Sequence, residues 1–361
     1  MIITKLSIDA VKIPLEKPIP SGKMTIHSAD ALLVTLRTKD HFGEGMVFTL
    51  NGTRLSILRE MILSLESLII GSDLGMSGLF LKQAWSELVF LGQRGIGAVA
   101  LSAIDMALWD LRGKEANKNI SELLGSCRST MPMYRSGALR LSASIDDLQK
   151  EAQDLVSQGF KSIKMSLGSK KMDIDVARVK AVRETIGMDI QLMTDCNQQL
   201  TVPHAIQLGR KLEEYRLAWI EEPVVFHDHE GEAEIARALD TPIASGENEF
   251  TLLGMKEMIE RKSADILMPD LQRMGGPSEL MKVANLALAH NIPIAPHLFT
   301  QMSLSLAAAM PNAIYVEYMP WFAPLYEEQL ELDDQGEVAI PKAPGWGFHF
   351  DQNAVKRFRP I

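Results

Sequence analysis

Short apolar segments alternate with helical stretches over most of the chain after Pro132. Eight such segments occur, at 133–138, 162–166, 189–195, 217–222, 242–247, 265–270, 292–297 and 313–317. The stretches between them, such as 279–291, repeat their apolar residues at helical spacing. This alternation predicts a parallel βα repeat that closes into an α/β barrel of the TIM type.

The first 125 residues follow a different pattern. Residues 2–14 alternate between apolar and polar, 31–37 form an apolar run, and 56–124 show helical periodicity. Prolines and a glycine predict a mobile loop at 15–29, and Gly43, Gly45 and Asn51 predict turns. We therefore expect an α+β capping domain at 1–127, the barrel at 128–325, and a segment at 326–361 that returns to the capping domain.

The composition argues against several classes of binding partner. The net charge is −9, from 37 Lys and Arg against 46 Asp and Glu, with no basic cluster, so we expect no nucleic-acid partner. Two cysteines exclude a disulfide framework. No signal-peptide core or bilayer-length apolar run occurs, so we expect a cytoplasmic protein without a membrane partner.

Six consecutive apolar segments of the predicted barrel end in a carboxylate or a histidine. Successive members lie 20 to 27 residues apart, about one βα unit each. The carboxyl ends of barrel strands form the rim where active sites lie. The six residues are Asp195, Glu221, Glu247, Asp270, His297 and Glu317.

Asp195, Glu221 and Glu247 end three consecutive predicted strands. Three neighbouring carboxylates repel one another unless a cation lies among them. Oxygen ligands without His or Cys suit Mg²⁺, which keeps positions open for water and substrate. The sequence therefore predicts a magnesium site; the alternative is three separate helix caps or surface acids.

Asp270 and His297 end the next two predicted strands. A carboxylate beside an imidazole fixes its tautomer and raises its basicity, so His297 is a candidate general base. The alternative is a purely structural histidine.

Alternation along 162–166 turns Lys164 and Ser166 toward the barrel axis. Lys164 would neutralise substrate charge there, or else extend its amine to the rim. Glu317 would donate a hydrogen bond if protonated, or form a structural ion pair.

These residues occur within motifs that resemble the enolase superfamily, specifically its mandelate racemase subgroup. The resemblance spans nearly the whole chain, including the helix SAIDMALWDLRGK. The barrel motifs, in order, are GFKSIKMSLG, TDCNQQ, WIEEP, GEN, MPDLQRMGG and APHLF.

The resemblance implies a role for each matching residue. Asp195, Glu221 and Glu247 would bind Mg²⁺, which holds a substrate carboxylate and stabilises the charge that develops when the α-proton leaves. His297 would act as the general base, paired with Asp270. Lys164 and Glu317 would contact the substrate carboxylate, and Asn197 a substrate hydroxyl, unless Asn197 serves only the turn after its strand.

The chain departs from the family pattern at Ser166, where many relatives carry a second lysine. A serine without a basic partner cannot supply a second base at neutral pH. We therefore expect His297 to remove the α-proton and then protonate a departing β-hydroxyl, which dehydrates an acid sugar to a 2-keto-3-deoxy acid. The alternative on the same scaffold is a racemase or epimerase of a 2-hydroxy acid.

Two further alternatives involve other chemistry. A barrel lyase would use Lys164 as a Schiff base without a metal, and a non-catalytic member would only bind metal and ligand. The register of three acids argues against the first, and the His297–Asp270 pair against the second.

Substrate contacts are also expected near the barrel mouth. Capping segments that carry Lys23, His27, Phe48 and Arg54 should lie over the mouth by resemblance. Lys23 or Arg135 would bind a distal hydroxyl or second carboxylate, while Tyr134 and Ser166 would contact the substrate at strand ends. Arg273 and Trp321 are open between a pocket role and a structural one. The expected partner is a small carboxylate, and relatives suggest a homo-oligomer.

Overall fold

The computed structural model describes residues 1–21 and 24–360. Its N-terminal unit combines an antiparallel three-stranded sheet with five helices. The strands are β1 (Lys5–Ser21), β2 (Met24–Arg37) and β3 (Phe42–Leu50). The helices are α1 (Leu55–Ser64), α2 (Glu66–Ile69), α3 (Ser77–Glu87), α4 (Ile96–Glu115) and α5 (Ile120–Leu124).

A curled parallel sheet wrapped by helices follows. Its strands are β4 (Thr130–Arg135), β5 (Ser162–Ser166), β6 (Gln191–Asp195), β7 (Trp219–Glu221), β8 (Ile243–Ser245), β9 (Ile266–Leu267) and β10 (Val316–Tyr318). The helices are α6 (Ile145–Ser157), α7 (Met172–Ile186), α8 (Val202–Leu212), α9 (His229–Ala238), α10 (Thr251–Arg261), α11 (Pro277–Ala289) and α12 (Thr300–Ala307). The tail adds β11 (Glu337–Ala339) and α13 (Gln352–Arg357).

The strand order confirms the predicted barrel. The strands pair in the order β10-β4-β5-β6-β7-β8-β9. The predicted segment 292–297 forms isolated parallel bridges instead of a full strand, with Ile294 paired to both Leu267 and Ala313. Since Ala313 lies shortly before β10, these bridges close the ring between β9 and β10.

β2 is buried on both faces. Leu32, Val34 and Leu36 pack with the helices of the N-terminal unit. The alternate residues Ala31 and Leu33 belong to the large core that continues into the barrel. Because successive side chains of a strand point to opposite faces, an apolar run without alternation is what such a strand requires.

Two expectations for the N-terminal unit are wrong. Residues 15–21 and 24–29 are not a loop, because they extend the β1–β2 hairpin. β1 pairs only with β2 in this sheet, and prolines, which lack an N–H donor, are tolerated on such an edge strand. The turns predicted between Gly43 and Gly45 are also wrong, because both glycines lie within β3.

These glycines permit close packing of α4 on β3. A Cβ atom on Gly45 would overlap the carbonyl oxygen of Ala103, and one on Gly43 would overlap that of Ala107. α4 is nevertheless no membrane helix: within residues 1–21 and 24–360, no helix combines the length and apolarity needed to cross a bilayer.

Hydrogen bonds dock the N-terminal unit onto the barrel. The Phe48 N–H donates to Gln272 Oε1 at 3.1 Å, and Asp105 accepts from the backbone N–H of Ser278 at 2.8 Å. The tail also returns to this unit, since the Trp346 N–H donates to Asp110 Oδ1 at 2.9 Å. We propose the limits 1–127, 128–325 and 326–361 for the three parts on this basis.

Gly45→Ala should destabilise the protein by about 1–3 kcal/mol, because the added methyl group meets backbone atoms that cannot rotate away. Urea unfolding would measure the change. Gly78→Ala is the matched control, since its Cβ would meet nothing within 4 Å and it lies in α3. We expect that control to be neutral or stabilising by up to about 1 kcal/mol. Equal stability of the two variants would contradict the packing argument.

Candidate active site

Lys164 lies inside the barrel, on the face that alternation predicts. Its Nζ is 2.6 Å from Glu221 Oε1 and 3.1 Å from Glu317 Oε1, and all three side chains are at most 6% exposed. Burial alone would lower the pKa of Lys164, but Glu221 and Glu317 outweigh it and hold the pKa well above its ordinary value. The lysine is therefore a fixed positive charge at the centre of the rim.

Tyr134 lies deeper than predicted. It is fully buried, its ring packs edge-on against Trp219 at 5.3 Å between centroids, and Lys164 Nζ lies 5.3 Å from its ring centroid. Its hydroxyl has no hydrogen-bond partner in the described structure. This placement corrects the expectation that Tyr134 contacts the substrate, because the side chain packs within the barrel interior and does not line the cavity described below.

Asp195, Glu221 and Glu247 lie at the ends of the adjacent strands β6, β7 and β8, as predicted. Burial raises the pKa of both Asp195 and Glu221, and the charge of Glu247 raises each further. The site thus holds more negative charge than Lys164 balances, and its donors are all carboxylate oxygens. That chemistry fits a hard divalent cation.

The three acids do not converge on one point. Within the described chain, no group of three or more His, Cys, Asp or Glu side chains is arranged to hold a metal ion. Glu221 has both oxygens engaged, Oε1 by Lys164 and Oε2 by the Trp219 indole N–H at 3.0 Å. A cation bound by all three acids would have to share Glu221 with Lys164.

His297 and Asp270 form a hydrogen-bonded pair. His297 Nδ1 lies 2.8 Å from Asp270 Oδ2, and Asp270 Oδ1 accepts from the Arg273 N–H at 2.8 Å. His297 Nε2 lies 3.3 Å from Glu247 Oε2. Burial would lower the pKa of His297, but Glu247, Asp270 and Glu317 together raise it to about 9.

Glu317 serves as an acceptor, which corrects the idea of a protonated donor. Its Oε2 accepts from the Leu298 N–H at 2.9 Å while Oε1 faces Lys164. Although burial opposes ionisation, Lys164 and His297 lower the pKa of Glu317 to about 2. The ion-pair alternative is therefore the one that the structure supports.

A cavity of about 510 Å³ opens above these residues. Lys164, Asp195, Glu247, His297 and Glu317 line it, together with Ser166 and Asn197. The Asn197 backbone N–H and side-chain amide both donate to Asp195, at 2.8 and 2.9 Å, so Asn197 serves its turn as well as the cavity. Phe48 and Trp321 form an apolar wall, 6.5 Å apart between ring centroids.

Most of the other residues predicted to contact the substrate near the barrel mouth do not line the cavity, among those that the structure describes. Lys23 lies outside the described residues. His27, Arg54 and Arg135 are not among the residues that line the cavity. Arg135 instead bonds the carbonyl oxygen of Ser136, whereas Arg273 lines the cavity and bonds the carbonyl oxygen of Glu247.

A buried polar network behind the acids was missed by sequence reasoning. Glu222 accepts from Ser245 Oγ at 3.1 Å and from the Asn248 amide at 3.0 Å, and that amide also donates to Glu247 at 3.1 Å. The network therefore orients Glu247. The doubled acid of WIEEP and the asparagine of GEN were visible in the sequence, but the hydrogen bonds from Asn248 to Glu222 and Glu247 were not.

Arg140 was also missed. It lines the cavity from the loop between β4 and α6. Its signal was its place shortly after the first predicted barrel segment, since loops at the carboxyl ends of the strands form the active-site face.

Comparison with known proteins agrees with this architecture. Residues 3–125 match the N-terminal domain of the mandelate racemase / muconate lactonizing enzyme family, and residues 147–354 match the enolase C-terminal domain-like family. The chain therefore belongs to the mandelate racemase subgroup of the enolase superfamily.

Individual relatives cover nearly the whole chain. The L-talarate/galactarate dehydratase of Salmonella typhimurium is 32% identical over 95% of this chain and 87% of its own. The 3,6-anhydro-alpha-L-galactonate cycloisomerase of Streptomyces coelicolor is 31% identical over 98% and 99%. The structure of L-talarate dehydratase from Polaromonas sp. JS666, complexed with Mg and L-glucarate, is 32% identical with a TM-score of 0.92, over 99% and 97%.

Lys164→Met should destabilise the protein by about 3–5 kcal/mol at neutral pH without divalent cations, because it leaves Glu221 and Glu317 buried without their cation. Thermal and urea unfolding in EDTA would measure this loss. Lys256→Met is the matched control: its partner Glu260 is exposed, so the loss should be at most about 0.5 kcal/mol. Equal losses would show that Lys164 does not balance the buried charge.

Proposed function

We propose that this protein is a Mg²⁺-dependent hydro-lyase that dehydrates an acid sugar to a 2-keto-3-deoxy acid. The observation that carries the proposal is the His297–Asp270 pair at the cavity, combined with Ser166 where a second base would stand. The dehydratase relatives support the same reaction class.

Asp195, Glu221 and Glu247 are the residues proposed to hold the metal. When bound there, Mg²⁺ would supply positive charge that attracts the substrate carboxylate, stabilises the charge developing on it and compensates Glu247. Lys164 contributes a second, permanent positive charge beside that carboxylate. Glu317 and Glu221 keep the amine in place, because each lies within 3.1 Å of it.

His297 then performs the proton transfers. Once Glu247 is compensated, the imidazole can lose its proton and expose Nε2 as a base, while Asp270 keeps the other nitrogen protonated. Nε2 takes the α-proton, and the electron pair of that C–H bond forms a carbon–carbon double bond as the β-carbon–oxygen bond breaks. The same imidazolium protonates the departing hydroxyl, water leaves, and the enol product becomes the 2-keto-3-deoxy acid.

The racemase or epimerase alternative needs a proton donor on the opposite face of the α-carbon. The polar groups that line the cavity around Ser166 are Lys164, Asp195, Asn197, Arg140, Ser142 and Gln199, among the residues that the structure describes. Lys164 is held as a cation by Glu221 and Glu317, and Asp195 is a proposed metal ligand. The other four side chains do not exchange protons readily near neutral pH. The geometry therefore favours elimination over inversion. The oligomeric state stays a prediction.

His297→Asn should reduce both α-proton exchange and elimination by about 10²–10⁴-fold, since the only proposed base is removed. Proton NMR in D₂O with Mg²⁺ would follow both reactions. His349→Asn is the matched control, because His349 also pairs with a carboxylate, Glu328 at 2.7 Å, but outside the cavity. If the His297→Asn protein formed the keto acid at close to the rate of the unmodified protein, the proposed mechanism would be wrong.

Removal of divalent cations with EDTA should abolish turnover, and added Mg²⁺ should restore it, because Asp195, Glu221 and Glu247 then lack the cation that compensates them. Borohydride added with substrate should leave Lys164 unmodified. Full activity in EDTA together with borohydride trapping at Lys164 would instead establish a Schiff-base lyase.

A further inference from the structure

One cation in the cavity has no role in the proposed proton transfers. Arg140 lines the cavity and is only partly exposed, and its guanidinium forms no hydrogen bond or ion pair with any residue that the structure describes. Burying a cation without a partner is unfavourable. An anionic ligand in the cavity would remove that cost.

The loop that carries Arg140 is held firmly. The Arg178 guanidinium donates to the carbonyl oxygens of Arg140 and Ala143, both at 2.8 Å. The Ser166 N–H donates to the carbonyl oxygen of Leu139 at 3.1 Å, which ties the loop to the end of β5. Leu139 has a left-handed φ of 47°, a conformation that costs energy and persists only where neighbours enforce it.

The other charged groups nearby are already engaged. Glu151 accepts from the Leu139 N–H at 2.9 Å and forms no ion pair with Arg140 in the described structure. Arg273, the second arginine of the cavity, donates to the carbonyl oxygen of Glu247, next to the His297–Asp270 pair. Among the residues that the structure describes, Glu151 is the only carboxylate whose charge acts on Arg140, so none of the catalytic acids compensates this cation.

Arg140 lies beside the end of β5. Its loop follows β4 and adjoins Ser166 on β5, which lies three neighbours round the ring from the segment that carries His297. Gln199 adds a polar side chain near Gly168, just beyond β5. A sugar chain whose first carboxylate lies at Lys164 would meet these polar groups if it extends outward along the Ser166 side of the cavity.

We infer that Arg140 binds the second carboxylate of a dicarboxylic acid sugar, so that the protein selects diacids over the corresponding monoacids. The inference rests on the proposed function, because it takes the first carboxylate to lie at Lys164. A planar guanidinium can donate two parallel hydrogen bonds to a carboxylate, which a sugar hydroxyl cannot match.

The test measures binding in the inactive His297→Asn protein with Mg²⁺, by titration calorimetry. The probes are matched pairs, galactarate with galactonate and glucarate with gluconate. We expect one diacid to bind at least about tenfold more tightly than its monoacid. Adding Arg140→Gln should weaken that diacid by about 10- to 150-fold and change the monoacid little. Arg140→Lys should recover part of the loss, and the surface control Arg261→Gln should change neither.

Equal weakening of diacid and monoacid, or no diacid preference in any pair, would overturn the inference. Turnover of the unmodified protein separates this failure from that of the proposed function. A diacid preference that depends on Arg140 without any dehydration would leave the subsite intact and contradict the proposed reaction. Dehydration of monoacids and diacids at equal rates would support the proposed reaction and contradict the Arg140 subsite.

Discussion

Lys164 stands between Glu221 and Glu317 inside the barrel, and much of the site depends on that placement. Five carboxylates lie near one another at this rim: Asp195, Glu221, Glu247, Asp270 and Glu317. Buried charges of one sign destabilise a fold unless partners compensate them. Lys164 sets one positive charge against two of the five, and the protonated His297 pairs with Asp270 and Glu247. The remaining excess is the physical reason for a divalent cation.

The same charge controls the base. Burial would lower the pKa of His297, but the charges of Glu247 and Asp270 help to hold it at about 9, so the imidazole is protonated at neutral pH. A cation bound beside Glu247 would lower the pKa of His297 and favour its neutral form. Proton abstraction by His297 would therefore depend on metal binding. Ser166 then decides the outcome of the reaction. Because Ser166 stands where a second base would be, the proton that His297 removes is transferred to the departing hydroxyl.

Much of this site could be predicted because barrel strands end at regular intervals. Asp195, Glu221 and His297 were identifiable since each closes an apolar segment one βα unit from the next. Features that depend on three-dimensional contact were not accessible in this way. Tyr134 is adjacent in sequence to rim residues yet lies beneath Lys164, and β3 was missed because Gly43 and Gly45 indicate turns until α4 is seen against them. Arg140 was overlooked because a loop arginine is ordinarily solvated, and only the cavity distinguishes it.

The most direct test of a one-base mechanism is proton NMR in D₂O with Mg²⁺, following the unmodified protein with a panel of acid sugars. We predict a 2-keto-3-deoxy acid from at least one of them. The recovered substrate should show no inversion at the α-carbon, because Ser166 replaces the second base and Glu221 and Glu317 hold Lys164 as a fixed cation. Inversion at the α-carbon without any keto acid would contradict the one-base mechanism, since it requires a second acid on the face that Ser166 occupies.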